Sequence, residues 1–439
     1  MRVHRYRKYY LINLKINKVV VFGANGNVGA QCAAIIAGFG GAQIYMLSRS
    51  KEKSRQGISK ACQSIRSDVI KSQMIPGSYN KDLKKALQEA DWVLETVSEN
   101  YSTKRKINEM ISSVPKRDRI ISTVTSGLSI NELSKSLSKE DQKKYFGTHF
   151  FNPPYKMLLC ELIPNQNSNK KVLTFLREYL EKTLHRRVII VKDSPAFVAN
   201  RIGFQFLNEA ALFAQKYKDK NGVSYIDYIL GSFTGRSMTP LNTINYVGLD
   251  VHQAIVDNIY MNSTDDLRNL FKTPEFINDL IKDTSLGLKS GQGIYKYDKD
   301  HGFLPYSIKN KDYEKAPNYD FQIVYQMKDS IRYGLYKEAF RQLLKANDPV
   351  ANDIKHFIAR YISYSFSLVG NTVKNYKDID IAMSYGFGWA PPSSYIELLG
   401  GLKETTSLIQ NMGMMIPELI KTRRTHLESE IDFRPFFRK

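Results

Sequence analysis

Short apolar runs alternate with helical stretches over the first 190 residues. "KVVVFG" (18–23) is valine-rich and stops at a glycine. "NVGAQCAAIIAGFG" (27–40) then carries small and apolar residues at helical spacing, and "AQIYMLS" (42–48) returns to a strand pattern. "ADWVLETV" (90–97) and "RIISTVTS" (119–126) repeat the arrangement after charged helical sequence, and "VIIVKDS" (188–194) closes the series. Near-continuous apolar strands separated by helices predict a parallel sheet covered on both faces, with any ligand at the carboxyl ends of its strands.

After Asp193 the pattern becomes helical. "IDYILGSFTGRSMTPLNTINYVGL" (226–249) and "IDIAMSYGFGWAPPSSYIELLGGL" (379–402) share Ile-Asp, one glycine (Gly235 and Gly388) and a closing Gly-Leu at a constant offset of 153. This reads as an all-α domain followed by a second, degenerate helical copy. Aligning "ANR" (199–201) with "IAR" (358–360) puts Ala359 where Asn200 stands, so the second copy is expected to be structural. The expected divisions are a basic leader (1–16), an α/β domain (17–192), a helical domain (193–298), a charged, Tyr-rich linker without clear periodicity (299–345), the helical repeat (346–415) and a tail (416–439).

Composition narrows the field without choosing a chemistry. Hydrophobic residues make up 42% of the 439 and charged ones 24%, as in ordinary globular proteins. No apolar run approaches the length of a membrane span, and the acid-free N-terminus has no apolar core of a secretory signal. Three widely spaced cysteines, Cys32, Cys62 and Cys160, match no metal pattern and suit a reducing compartment. The expected location is the cytoplasm, with an organellar matrix as the alternative. A net charge of +21 would attract polyanions. The abundance of Lys, Asn, Ile and Tyr explains it equally well as a genomic bias, and no nucleic-acid-binding pattern accompanies it.

The turn after the first run carries Gly23, Gly26 and Gly29, spaced GxxGxxG where the usual dinucleotide fingerprint of a Rossmann-type domain is GxGxxG. Gly26 and Gly29 keep the spacing of the later fingerprint glycines, and Gly23 is displaced as though Asn25 had been inserted. Glycines here would let backbone amides approach a pyrophosphate at a helix N-terminus. At the end of the second run stand Ser48 and Arg49, not the acid that would bind an adenine ribose. A hydroxyl and a cation there suit a 2′-phosphate, and so lean towards NADP over NAD. A solvated charged turn is the other reading.

"YFGTHFFNPPYKMLLCELI" (145–163) sets His149 in an apolar run and Glu161 between leucines twelve residues on. A carboxylate in that setting needs a partner. Two strands joined around "NPPYK" could bring the two side chains together as a general base and its orienting acid. On spacing alone, a satisfied core histidine is the better reading.

"GTHFFNPP…CELI", "DSPAFVANRIGFQFLNEA", "DWVLETVSENYSTKRK", "STVTSGLSI" and "GLKSGQGIYKY" together resemble the motifs of the L-3-hydroxyacyl-CoA dehydrogenases, in that family's order, over residues 18–297. The second helical copy resembles the last domain of larger multifunctional members. Their enoyl-CoA hydratase region is not found in these residues. The resemblance implies His149 as catalytic base, Glu161 as its orienting carboxylate, Ser126 beside the substrate hydroxyl and nicotinamide, and Asn200 at the substrate carbonyl. It also implies cofactor contacts at Glu99, Lys104, Ser126, Asn152 and Lys289.

The implied function is hydride transfer from an acyl-CoA substrate to NAD or NADP in fatty acid β-oxidation, beside a separate hydratase or thiolase. Two-domain members dimerise through the helical domain, so an appended copy favours a monomer. Ala196 in place of glycine in "DSPAF" and "MTPL" (238–241) in place of MGPF depart from the family pattern, as does the stretched glycine turn. They leave a catalytically degenerate, acyl-CoA-binding or partner-binding homologue as the alternative.

Overall fold

Val19, Val20 and Val21 have no solvent exposure, and the strand they build lies inside an eight-stranded sheet. The computed structural model describes residues 15–116, 118–422 and 427–437. Most of the expected basic leader, residues 1–14, therefore lies outside the described residues. The chain forms two compact units divided between Ile190 and Val191, close to the expected boundary at 192.

In the first unit the strands are β1 (Lys18–Phe22), β2 (Gln43–Ser48), β3 (Met74–Ser78), β4 (Trp92–Glu95), β5 (Ile120–Thr123), β6 (Tyr145–Phe150), β7 (Leu159–Pro164) and β8 (Arg187–Ile190). Their order is β3-β2-β1-β4-β5-β6-β7-β8. Helices α1 (Asn27–Gly40), α2 (Lys51–Ile65), α3 (Leu83–Glu89), α4 (Tyr101–Ser112), the short pair α5 (Ile130–Ser134) and α6 (Lys139–Gln142), and α7 (Lys170–Glu178) connect them. Strand order reverses between β1 and β4, which opens a crevice at their carboxyl ends.

Two details add to the expected parallel sheet. β7 runs antiparallel to β6, with β8 parallel to β7, because the short "NPPYK" connection allows only a hairpin return. β3, "MIPGS", was not expected as a strand. Pro76 and Gly77 read as turn residues, yet β3 is the sheet's edge, where a missing donor is tolerated.

The second unit begins with α8 (Ala199–Lys216), α9 (Gly222–Ile229), α10 (Pro240–Val247), α11 (Leu249–Asn262) and α12 (Glu275–Lys282). This part is helical as expected, but residues 299–345 are not a linker. The antiparallel strands β9 (Tyr295–Asp298), β10 (Gly302–Ser307) and β11 (Asp312–Tyr313) form a small sheet. Helices α13 (Gln322–Arg332) and α14 (Tyr336–Lys345) then bury Val324, Met327, Phe340 and Leu343 completely. The remaining helices are α15 (Pro349–Ser367), α16 (Tyr376–Gly386), α17 (Pro392–Leu399), α18 (Leu402–Asn411) and α19 (Glu418–Thr422). Within the expected tail, Leu427 and Phe437 are buried, the latter against Tyr336 and Phe340.

The repeat is structural as well as textual. α9, α10 and α11 have counterparts in α16, α17 and α18, and Gly235 and Gly388 both adopt left-handed backbone. Arg236 forms a β-bridge with Trp389, its own counterpart at the offset of 153, so the two copies meet about a local pseudo-twofold axis. The Arg236 guanidinium lies 3.8 Å from the Phe206 ring and 4.9 Å from those of Tyr361 and Trp389. Helix α15 starts nine residues before Ile358, whereas α8 starts at Ala199 itself. The expected pairing of Ala359 with Asn200 therefore does not follow the helix boundaries.

Candidate active site

The turn between β1 and α1 packs against the chain leaving β4. Gly23 has φ of 72°, and a Cβ there would stand 2.8 Å from the Thr96 carbonyl oxygen. At Gly29 a Cβ would lie 2.3 Å from Thr96 Oγ1. The displaced glycine is thus required: it lets the turn approach the β4 end. The Gly26 amide donates to the Gly23 carbonyl at 2.9 Å, closing a tight turn. Asn25, the apparent insertion, is not left-handed. Its side-chain oxygen accepts from Ser48 Oγ at 3.2 Å and its carbonyl from Lys60 Nζ at 3.0 Å.

Gly26 is the N-cap residue of α1, and no side chain caps the helix. Its amide end and positive dipole are thereby left to an anion. The turn borders a cavity of about 400 Å³ lined also by Arg49, Tyr79 and Thr96 to Ser98. Tyr79 accepts from the Gly23 amide at 3.1 Å, and burial pushes its phenol up, so the hydroxyl keeps its proton. Arg49 is the single charged residue in the lining. A cleft with glycine walls, an uncapped helix start and one guanidinium fits a dinucleotide. Ser48 does not join it: its side chain is buried and donates to Asn25.

The β6–β7 hairpin sets His149 directly opposite Glu161. His149 Nδ1 stands 2.6 Å from Glu161 Oε2, and Glu161 has no solvent exposure. A carboxylate only accepts, so this pairing places the proton on Nδ1 and gives Nε2 the lone pair of a base. The imidazole packs on Phe151, with ring centroids 4.5 Å apart. His149 is the penultimate residue of a parallel strand, on the carboxyl side of the sheet.

Ser126 lies in the turn after β5, and its amide donates to Glu99 Oε1 at 2.8 Å. Thr125 Oγ1 donates to the same oxygen at 2.5 Å. Lys104, expected at the cofactor, is instead fully buried. Its ammonium lies 3.0 and 3.1 Å from the two oxygens of Glu95 and 3.5 Å from Glu99. Asn152 is exposed just beyond β6. In the second unit, Asn200 is buried in the first turn of α8, and Lys289 pairs with Asp250.

Two residues of this region went unread in the sequence. Tyr79 follows the unexpected strand β3. Glu95 stands in "WVLETV" as Glu161 stands in "LLCELI", a carboxylate within an apolar strand, and that shared signal could have found it. The described residues contain no cluster of metal-ligating side chains and no helix long and apolar enough to cross a membrane.

Residues 18–194 match the family model of the 3-hydroxyacyl-CoA dehydrogenase NAD-binding domain, and residues 197–297 match that family's C-terminal domain. A Deinococcus radiodurans protein described as a probable 3-hydroxyacyl-CoA dehydrogenase is 32% identical over 305 residues, covering 66% of this chain and 86% of its own. A Bacillus subtilis protein of the same description is 29% identical over 438 residues, covering 92% of this chain, but the match spans only 54% of the relative's length. Among solved structures, (S)-3-hydroxybutyryl-CoA dehydrogenase from Ralstonia eutropha is 27% identical, with a TM-score of 0.57 over 65% of this chain and 100% of its own. The Escherichia coli 3-hydroxybutyryl-CoA dehydrogenase, 18% identical, shares the fold over 93% of this chain and 98% of its own, with a TM-score of 0.69.

Proposed function

The chain belongs to the 3-hydroxyacyl-CoA dehydrogenase family, and on that premise we propose that it oxidises the 3-hydroxyl of an L-3-hydroxyacyl-CoA to the 3-oxo thioester in fatty acid β-oxidation. The observation that carries this reading is the His149–Glu161 pair at the carboxyl side of the sheet. His149 Nε2 takes the hydroxyl proton as C3 gives up its hydride, and Glu161 stabilises the imidazolium that results. A bound nicotinamide dinucleotide supplies the hydride acceptor. Ser126 orients the hydroxyl oxygen, and Asn200 keeps the role its motif implies, at the substrate carbonyl. The uncapped start of α1 holds the pyrophosphate.

The finer cofactor assignment is NADP. Arg49 gives the cleft its one charge, and no carboxylate lines it to bind an unmodified ribose. The three cysteines are free and buried, which supports a reducing compartment, the cytoplasm or an organellar matrix. The pseudo-twofold contact within the second unit supports a monomer, because the repeat already covers a helical face that a second copy would otherwise use. A separate hydratase or thiolase would supply the substrate or consume the product.

The test is oxidation of reduced NAD and reduced NADP, followed by loss of their absorbance, with acetoacetyl-CoA. Turnover with reduced NADP at the lower KM is expected. A lower KM for reduced NAD would remove the cofactor assignment. No turnover with either would leave the degenerate binding homologue.

A further inference from the structure

Behind the cleft wall lies a charged assembly whose members occupy the ends of three elements. Glu95 ends β4, Lys104 lies in the first turn of α4, and Thr123 ends β5. Glu95 and Lys104 are both without solvent exposure. Glu95 Oε1 accepts from the Val97 amide at 2.7 Å and Oε2 from Thr123 Oγ1 at 2.5 Å. The Lys104 ammonium reaches both Glu95 oxygens, the Val97 carbonyl at 3.4 Å and Glu99 Oε2 at 3.5 Å. An ammonium has three protons, and these four acceptors occupy them.

The assembly nevertheless reaches the site. Glu99, held on one oxygen by Lys104, uses the other to accept from Thr125 Oγ1 and the Ser126 amide. Thr125 Oγ1 in turn accepts from the Leu128 amide at 3.0 Å. Val97, gripped at its amide by Glu95 and at its carbonyl by Lys104, is part of the cleft wall. One buried ion pair thus fixes the wall on one side and the turn carrying Ser126 on the other. A lone buried charge would be costly, so each partner depends on the other.

We propose that Glu95 and Lys104 are positioning residues that hold Ser126 at the substrate through Glu99, with no contact of their own to cofactor or substrate. The kinetic part of this inference rests on the dehydrogenase reading above. The placement of the Ser126 turn does not.

Two measurements on the full chain test it. In the first, amide hydrogen exchange is followed across residues 124–129 in the wild type and in Glu95→Gln. Exchange at the Ser126 turn should accelerate by roughly tenfold while Ile120 to Ser122 keep their protection. Thr123→Val, which removes one donor to Glu95 without leaving a buried charge, should accelerate the same segment by a smaller factor. Unchanged exchange at the turn in both variants overturns the proposal, as does a uniform rise across the sheet.

In the second, Glu95→Gln should lower kcat by about tenfold, a larger factor than it weakens cofactor binding through the Val97 wall. The loss should vanish in a Ser126→Ala background, because residues acting through one another are non-additive. Losses that multiply, or a Lys104→Met variant whose cofactor affinity falls as far as its kcat, overturn it. Faster exchange in a chain that turns over no 3-hydroxyacyl thioester would sustain the positioning role and remove the dehydrogenase reading.

Discussion

Both units bury charged side chains, and they use them differently. In the first unit Glu95 ends β4, Lys104 pairs with it and Glu161 lies within β7 opposite His149, and each connects to a group facing the cleft or to the proposed base. In the second, two buried acids of the repeat close on helix starts. Asp227 accepts from the Leu241 and Asn242 amides at 2.8 and 3.0 Å, and Asp380 accepts from the Ser393 amide at 3.1 Å. The residues are equivalent in the two copies, so this is a device of the repeat. Arg236, a buried cation of that unit, lies among aromatic rings at the pseudo-twofold contact. Around the cleft such groups hold the proposed base and the Ser126 turn, whereas in the repeat they fasten elements, as buried Arg119 and Arg186 also do in the first unit by donating to backbone carbonyls. Substitutions should therefore separate into losses of turnover and losses of stability.

The largest effect is expected at His149. His149→Gln keeps a side chain able to hydrogen bond to Glu161 but cannot take up a proton. Turnover of 3-hydroxyacyl-CoA should fall by about 10²–10⁴-fold, with cofactor affinity and thermal midpoint little changed. Turnover within about tenfold of the wild type would remove the histidine from the base role and weaken the contrast between units.

Asp380 should behave in the opposite way, moving stability and leaving the chemistry alone. Burial raises its carboxyl to about 7, against two hydrogen bonds from Ser393 that lower it and the charge of Glu430 that raises it further. Its ordinary value is 3.8. Between these values the folded chain keeps the proton and the unfolded chain has released it. Stability from this group is thus full below pH 4, falls as pH rises through the window, and levels off above pH 7. The change across the window is roughly 4 kcal/mol at most. Denaturant unfolding of the wild type and Asp380→Asn at pH 5 and pH 8 measures it. The variant should lose the slope and gain relative to the wild type at the higher pH. An identical slope in both would show that Asp380 does not carry it.

The same contrast explains what the sequence disclosed. β1, the glycine turn and the β6–β7 hairpin are local patterns, and His149 and Glu161 are close enough along the chain for a turn to join them. Their pairing was legible before any fold was known. The partner of Lys104 was not. Glu95 and Glu99 lie equally near in sequence, and only the packing of α4 behind β4 and β5 decides that the ammonium turns inward. β3 was hidden by Pro76, which an edge strand accommodates, and Tyr79 was lost with it. The start of residues 299–345 lacks a clear period because β9 and β10 leave Tyr297 and Phe303 exposed as an aromatic pair, with ring centroids 5.4 Å apart. Helices α13 and α14 do carry a helical period, burying Ile323, Val324, Met327 and Ile331 in one and Ala339, Phe340 and Leu343 in the other, which went unread in the sequence.

The smallest effect is expected at Ala196, where the chain enters the second unit. Ala196 and Phe197 both have φ of 57°, the left-handed region that a Cβ disfavours. The motif that this segment resembles has glycine at the first of these positions, where this chain carries a Cβ. Ala196→Gly relieves the penalty at one residue, worth about 1 kcal/mol after the unfolded chain's added freedom is counted. The thermal midpoint should rise by roughly 2 °C. Phe197→Gly would relieve the same backbone penalty but remove a ring with no solvent exposure, and the midpoint should drop steeply because a lost core aromatic costs about 3–5 kcal/mol. The opposite signs at adjacent residues of identical φ distinguish backbone strain from side-chain packing. A fall in the midpoint of Ala196→Gly would show that the buried methyl group outweighs the strain, and that this departure from the family pattern stabilises the second unit.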